Sequence, residues 1–175
     1  SLDDIVDVIG NPYAFAAYRA NGTLVSWGNA TYGGNVPAPI AAMTDIKRLA
    51  CANKFSFVAL RKTNQVIAWG PVAQGGTVPQ LISTLTDILS VVATWNSFAA
   101  LRENGHVVAW PETSADGKVP DPIAARDDVV QVAGTSHAFA VLFKDGTVAA
   151  WGNATVGGDT KPVADQLTNV RAIYT

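Results

Sequence analysis

Four tryptophans, Trp27, Trp69, Trp110 and Trp151, stand 42, 41 and 41 residues apart, and a long stretch of sequence around each recurs with it. The chain is one unit of about 41 residues written four times. Such a unit cannot bury its apolar face alone, so its core must form between neighbours. A residue present in every copy then belongs to the scaffold. A residue present in one copy is the better candidate for a specific task.

Aligned on tryptophan, the copies read NGTLVSWG from Asn21, TNQVIAWG from Thr63, NGHVVAWP from Asn104 and DGTVAAWG from Asp145. Upstream lie YAFAAYRA from Tyr13, FSFVALRK from Phe55, NSFAALRE from Asn96 and HAFAVLFK from His137. Further upstream lie short apolar segments opening on Asp4, Asp45, Asp87 and Asp128. The repeats run over 4–44, 45–86, 87–127 and 128–168, and a fifth first segment, 169–175, follows them. One domain over 1–175 is expected.

Segments of five to seven residues, rich in Val, Ile, Phe and Trp and bounded by Asn-Gly, Asp-Gly or Gly-Gly, read as β-strands. Asn21-Gly22, Asn104-Gly105 and Asp145-Gly146 suit a two-residue hairpin loop with positive φ, and Thr63-Asn64 fills the same slot. The segments 39–42, 80–83 and 122–125 read as outer strands or turns, and no amphipathic helix stands out. Small residues alternate with bulky ones, as in Ala14-Phe15-Ala16 and Ser97-Phe98-Ala99. Strands covered on both faces show such continuous apolar runs. The fold class is therefore all-β: propeller blades in a half-ring or a small ring. Trp27, Trp69, Trp110, Trp151, Phe15, Phe57, Phe98 and Phe139 form the expected repeat core.

The segment VVQVAGTSHAFAVLFKDGTVAAWG, ending at Gly152, carries a family resemblance. It resembles the propeller repeat of the regulator of chromosome condensation. The Gly-x-Val-Pro endings are similar to the compact version in bacterial propeller-type β-lactamase inhibitory proteins. That resemblance implies a β-propeller and, from the inhibitors, a secreted or cell-surface bacterial setting with aromatic rim loops gripping a protein. Departures are plain: the family histidine survives only as His137, Trp-Gly becomes Trp110-Pro111, and four copies stand where seven usually close a ring. Three arrangements remain open: a homodimer completing a ring, a piece of a longer array, and a closed four-bladed ring.

A formal charge of −2, from 12 basic and 14 acidic residues, lacks the excess expected of a nucleic-acid binder. Charged and turn residues interrupt every apolar run, which argues against membrane insertion. Cys51 is the only cysteine and reads as a small buried thiol. His106 and His137 fall at different repeat positions and form no metal or catalytic pattern with it, so no enzyme, metal or cofactor is expected. The recurring Asp4, Asp45, Asp87 and Asp128 read as turn caps, with a cation-binding ring as the alternative. Three sequons, at Asn21, Asn29 and Asn153, follow from repetition as readily as from glycosylation.

Variation concentrates in the link between the first and second strands. The candidate partner-binding residues are Asn11, Tyr13, Lys54, Trp95, Asn96, Ser136 and His137, with Trp95 the one tryptophan outside the repeat phase. The loops at Tyr32 and 112–118 are expected at the opposite end of the hairpins. The expected function is a non-enzymatic module binding a protein partner through rim loops. The alternatives are an assembly unit without a dedicated ligand and a glycan-binding lectin.

Overall fold

A computed structural model describes residues 3–175. They form four three-stranded antiparallel sheets, each a meander in chain order. The first holds β1 (Ile5–Gly10), β2 (Ala14–Arg19) and β3 (Leu24–Gly28), and the second holds β4 (Ile46–Ala52), β5 (Phe57–Arg61) and β6 (Val66–Trp69). The third holds β7 (Ile88–Ala93), β8 (Phe98–Arg102) and β9 (Val107–Trp110), and the fourth holds β10 (Val129–Gly134), β11 (Ala138–Phe143) and β12 (Val148–Gly152). The chain divides into two compact units, Ser1–Ile88 and Leu89–Thr175.

The hairpin loops are longer than the sequence pattern implies. Gly22 N–H donates to the Arg19 carbonyl at 2.9 Å and Arg19 N–H to the Thr23 carbonyl at 3.0 Å, leaving three loop residues. Only the last of these takes positive φ: Gly22 (84°), Asn64 (59°), Gly105 (79°) and Gly146 (82°). A type I turn closed by one left-handed residue has this form. Asn21 and Asp145 favour it by accepting the N–H two residues on, from Thr23 at 3.1 Å and Thr147 at 2.8 Å. Crowding adds a second demand for glycine, since a Cβ on Gly22 would lie 2.0 Å from the Thr44 carbonyl oxygen.

The same turn fastens the next repeat. Ile46, Ile88, Val129 and Val170 N–H donate to the carbonyls of Gly22, Asn64, Gly105 and Gly146, at 3.1, 3.2, 3.0 and 2.9 Å. Val170 belongs to the fifth segment, so residues 169–175 occupy the place of a first strand. They are not a strand, because no second strand stands beside them. The Gln131 side chain grips their backbone instead, accepting from Ile173 N–H at 2.9 Å.

Each unit has its core between two sheets. In the first, Ala14 and Ala16 face Phe57 and Trp69, which are 0 % and 1 % exposed. In the second, Ala99 and Ala109 face Phe139 and Trp151. Small side chains let the sheets approach, and each large ring so buried contributes roughly 1.5–3 kcal/mol. Phe98 and Trp110 are also buried. Phe15 and Trp27 depart from their expected core placement: each is 48 % exposed, because their sheet has none before it. Their rings stack on each other at 5.5 Å.

The segments after Val-Pro are neither outer strands nor plain turns. They form single helical turns, α1 (Ala38–Ala41), α2 (Gln80–Ser83) and α3 (Asp121–Ala124), each entered from a proline. Ile82 and Ile123 are buried by these turns. In the fourth copy an extra residue precedes the proline, and Lys161–Gln166 is an exposed 3-10 turn with no buried residue. No helix among the described residues is long and apolar enough to cross a membrane.

Candidate protein-binding rim

In each blade the second strand runs from the first link down to the hairpin turn, and the third strand returns. Phe15 therefore pairs with Trp27 and Ala14 with Gly28. The loop after the tryptophan ends beside the link, so Tyr32 and residues 112–118 lie at the same end as the link and not at the opposite one.

Side chains tie the two loops together. Asn11 Oδ1 accepts from Tyr13 and Ala14 N–H, both at 2.9 Å, while its Nδ2 donates to the Tyr32 carbonyl at 3.0 Å. Asn53 repeats the arrangement with Phe55, Ser56 and the Gln74 carbonyl at 2.8, 2.7 and 2.7 Å. Asn11 thus positions the rim. Above it, Tyr13 packs against Tyr32 at 4.6 Å and stacks on Phe55 at 5.9 Å, with Tyr32 and Phe55 5.3 Å apart. Lys54 Nζ stands 5.3 Å from the centre of the Phe55 ring, within cation–π range. Tyr13 remains 42 % exposed. Tyr32 and Phe55 escaped the sequence reading as partners of this cluster, since the return of the hairpin brings Tyr32 to Tyr13 and the packing of the second sheet on the first brings Phe55.

In the second unit Thr94 and Thr135 replace the tying asparagine. A threonine caps the link, with Ser97 N–H donating to Thr94 Oγ1 at 3.1 Å, but cannot reach the neighbouring loop. Asp116 comes to it instead: its buried carboxylate accepts from the Thr94 hydroxyl and, at 3.0 Å, from Ser97 Oγ. This explains why the third copy carries Asp116 where others have glycine. Trp95 is held at 48 % exposure, with its backbone N–H donating to the Ser136 carbonyl at 2.9 Å. Its indole meets the His137 ring edge-on, 4.8 Å between centres. Asn96 and His137 are partly buried and Ser136 is exposed beside them. Each unit thus presents an aromatic cluster on its links.

The recurring acids do more than open a strand. Arg19 pairs with Asp4 and Arg61 with Asp45, both at 2.7 Å. In the fourth copy the arginine position holds Phe143, and Arg126 supplies the charge, bridging Asp128 at 2.6 Å and Asp145 at 2.7 Å over the Phe143 ring. The Arg61 and Arg126 guanidinium groups hold Asp45 and Asp128 below the usual carboxylate range. The Thr147 hydroxyl, seconded by Arg126, takes Asp145 down to about 2. Carboxylates committed to arginines are poor cation ligands, and no metal-ligand cluster occurs among the described residues. Burial pushes the Cys51 thiol up to about 12, opposed by the charge of Arg48, so it is no nucleophile at neutral pH.

No family model and no curated protein matches the chain. Solved structures do. Human WBSCR16 superposes with a TM-score of 0.62 at 18 % identity, over 85 % of this chain and 47 % of that one. Yeast RCC1 (Prp20), in complex with Kap60, gives 0.60 at 16 % identity over 95 % and 47 %. The computationally designed Ika4 protein gives 0.52 at 18 %, over 87 % of this chain and 95 % of its own. The chain spans about half the length of the first two. The likeness to bacterial inhibitory proteins rests on sequence resemblance alone. With four meander sheets repeated in phase and these superpositions, the chain has the fold of the RCC1-type β-propellers.

Proposed function

We propose that the chain is a non-enzymatic protein-binding module that recognises its partner through aromatic residues on the blade links. The observation that carries this reading is Trp95, a large indole kept half in solvent on a link braced by the buried Asp116 network. Exposed Trp and Tyr on a rigid base are the usual anchors of protein interfaces. Asn96, Ser136 and His137 flank Trp95 in the second unit, and the first unit offers its own candidate contact in Tyr13 and Lys54, with Asn11 as the brace. A neighbour of the same fold supports a protein-binding role: the structural study of Prp20p from Saccharomyces cerevisiae concerns its binding to Gsp1p and histones. The net charge of −2 favours a protein partner over nucleic acid. In quantitative affinity capture, Trp95→Ala should lose the partner that wild type retains. Equal recovery by both proteins would defeat the rim reading.

A second reading, an assembly unit that pairs with its own copy, is favoured by one observation: the half-exposed Phe15 and Trp27 on the first sheet. Contiguous apolar faces of this kind mark interfaces.

A further inference from the structure

One interface is built the same way in both units. The tryptophan of the later sheet donates its indole N–H to the carbonyl six residues beyond the tryptophan of the earlier sheet. Trp69 reaches Gly33 at 3.0 Å, and Trp151 reaches Asp116 at 2.8 Å. The accepting carbonyl belongs to a loop that also covers the aromatic pair. A Cβ on Gly33 would meet the Phe57 ring at 2.6 Å.

Both halves of one more such interface are unfilled. On the first sheet, Trp27 Nε1 has no hydrogen-bond partner among the described residues. Ile5 and Val8, 37 % and 45 % exposed, continue the apolar face at the positions that Ile46 and Leu49 fill, buried, in the second sheet. On the fourth sheet, Gly157 stands six residues beyond Trp151, and its carbonyl accepts nothing from the described residues. A Cβ there would meet only the Ala138 Cβ, at 4.0 Å. Val156 on the same loop is 47 % exposed. The chain carries a complementary donor face and acceptor loop, each prepared by the repeat and neither used.

We propose that the uncovered face of the first sheet receives the 153–158 loop of a second copy of this chain, with Trp27 Nε1 donating to the Gly157 carbonyl. The inference deepens the assembly reading and rests on it. Residues 169–175 act in it as a plug. Val170 N–H takes the Gly146 carbonyl, which an incoming β1 needs for Ile5, and Gln131 holds the segment through Ile173. The second copy must displace this segment to dock its first sheet.

The test is light scattering on the full chain over a concentration series. Wild type should rise from 18.3 kDa to a multiple of it. Trp27→Ala should weaken association by at least about tenfold, the scale of an anchor residue, with an unchanged thermal midpoint as the folding control. Gln131→Ala, which loosens the plug, should tighten association. Constant 18.3 kDa for wild type and Gln131→Ala would overturn both the inference and the assembly reading. Association unaffected by Trp27→Ala would leave assembly standing and overturn this seat. Association weakened or unchanged in Gln131→Ala would overturn the plug.

Discussion

The five tryptophans divide into three that are dry and two that are half wet, and their chemistry diverges accordingly. Removing the Trp69 ring leaves a hole beneath the Gly33 loop and an orphaned carbonyl, so Trp69→Ala should cost about 3–5 kcal/mol. Trp95→Ala removes a half-solvated ring and should lie within about 1 kcal/mol of wild type. Urea unfolding of the two variants checks the contrast, which the repeat phase alone could not assign at Trp27. Cys51 offers a second check. With its thiol raised to about 12, alkylation at pH 8 should be slow in the native protein and rapid once urea unfolds it.

Within a blade, the elements were legible where the repeat constrained them. Alternation of small residues with bulky ones, such as Ala14-Phe15-Ala16 and Ser97-Phe98-Ala99, placed β2, β5, β8 and β11, since a strand flanked by two sheets permits little else. The hairpin loops were not legible in length. Asn-Gly serves two-residue and three-residue loops alike, and the outcome turns on which residues are left-handed. The turns α1 to α3 were missed because four residues are too few to show a helical period. The arginine partners of the acids were missed too, since Arg19 and Asp4 are adjacent only after β1 and β2 pair. The loop glycines carry an exacting demand. Gly33→Ala combines a φ of +88° with a Cβ 2.6 Å from the Phe57 ring, and should destabilise by about 2–4 kcal/mol in chemical denaturation.

At the scale of the whole molecule, the rim was only half legible. Variation at the links pointed to Tyr13, Lys54, Trp95 and His137, but which loops join them depends on the return of each hairpin. Tyr32 and Asp116 come into place only there. Charge sets the acid limit. Asp45, Asp128 and Asp145 have native carboxyls below their unfolded values of about 3.9, so the pairs stabilise the fold above that pH. That contribution is lost as pH falls through the native values, toward 2 for Asp145. Thermal midpoints should therefore be level near neutrality and fall between about pH 4 and pH 2. Arg126→Ala should flatten this acid dependence.

Because the indoles of Trp69 and Trp151 each read a carbonyl counted six positions from the preceding indole, the chain's length is set in quanta. Duplicating or excising a whole copy preserves that count, whereas one residue inserted between Trp27 and Gly33 would misplace the acceptor for Trp69. The fourth copy already tolerates an additional residue, and it falls after Gly157, outside the counted span. Natural or engineered variants should therefore differ by entire multiples of the period, with irregular indels kept outside the counted span, as in the second copy, whose additional residue is absorbed at a register shift in β4 between Leu49 and Cys51.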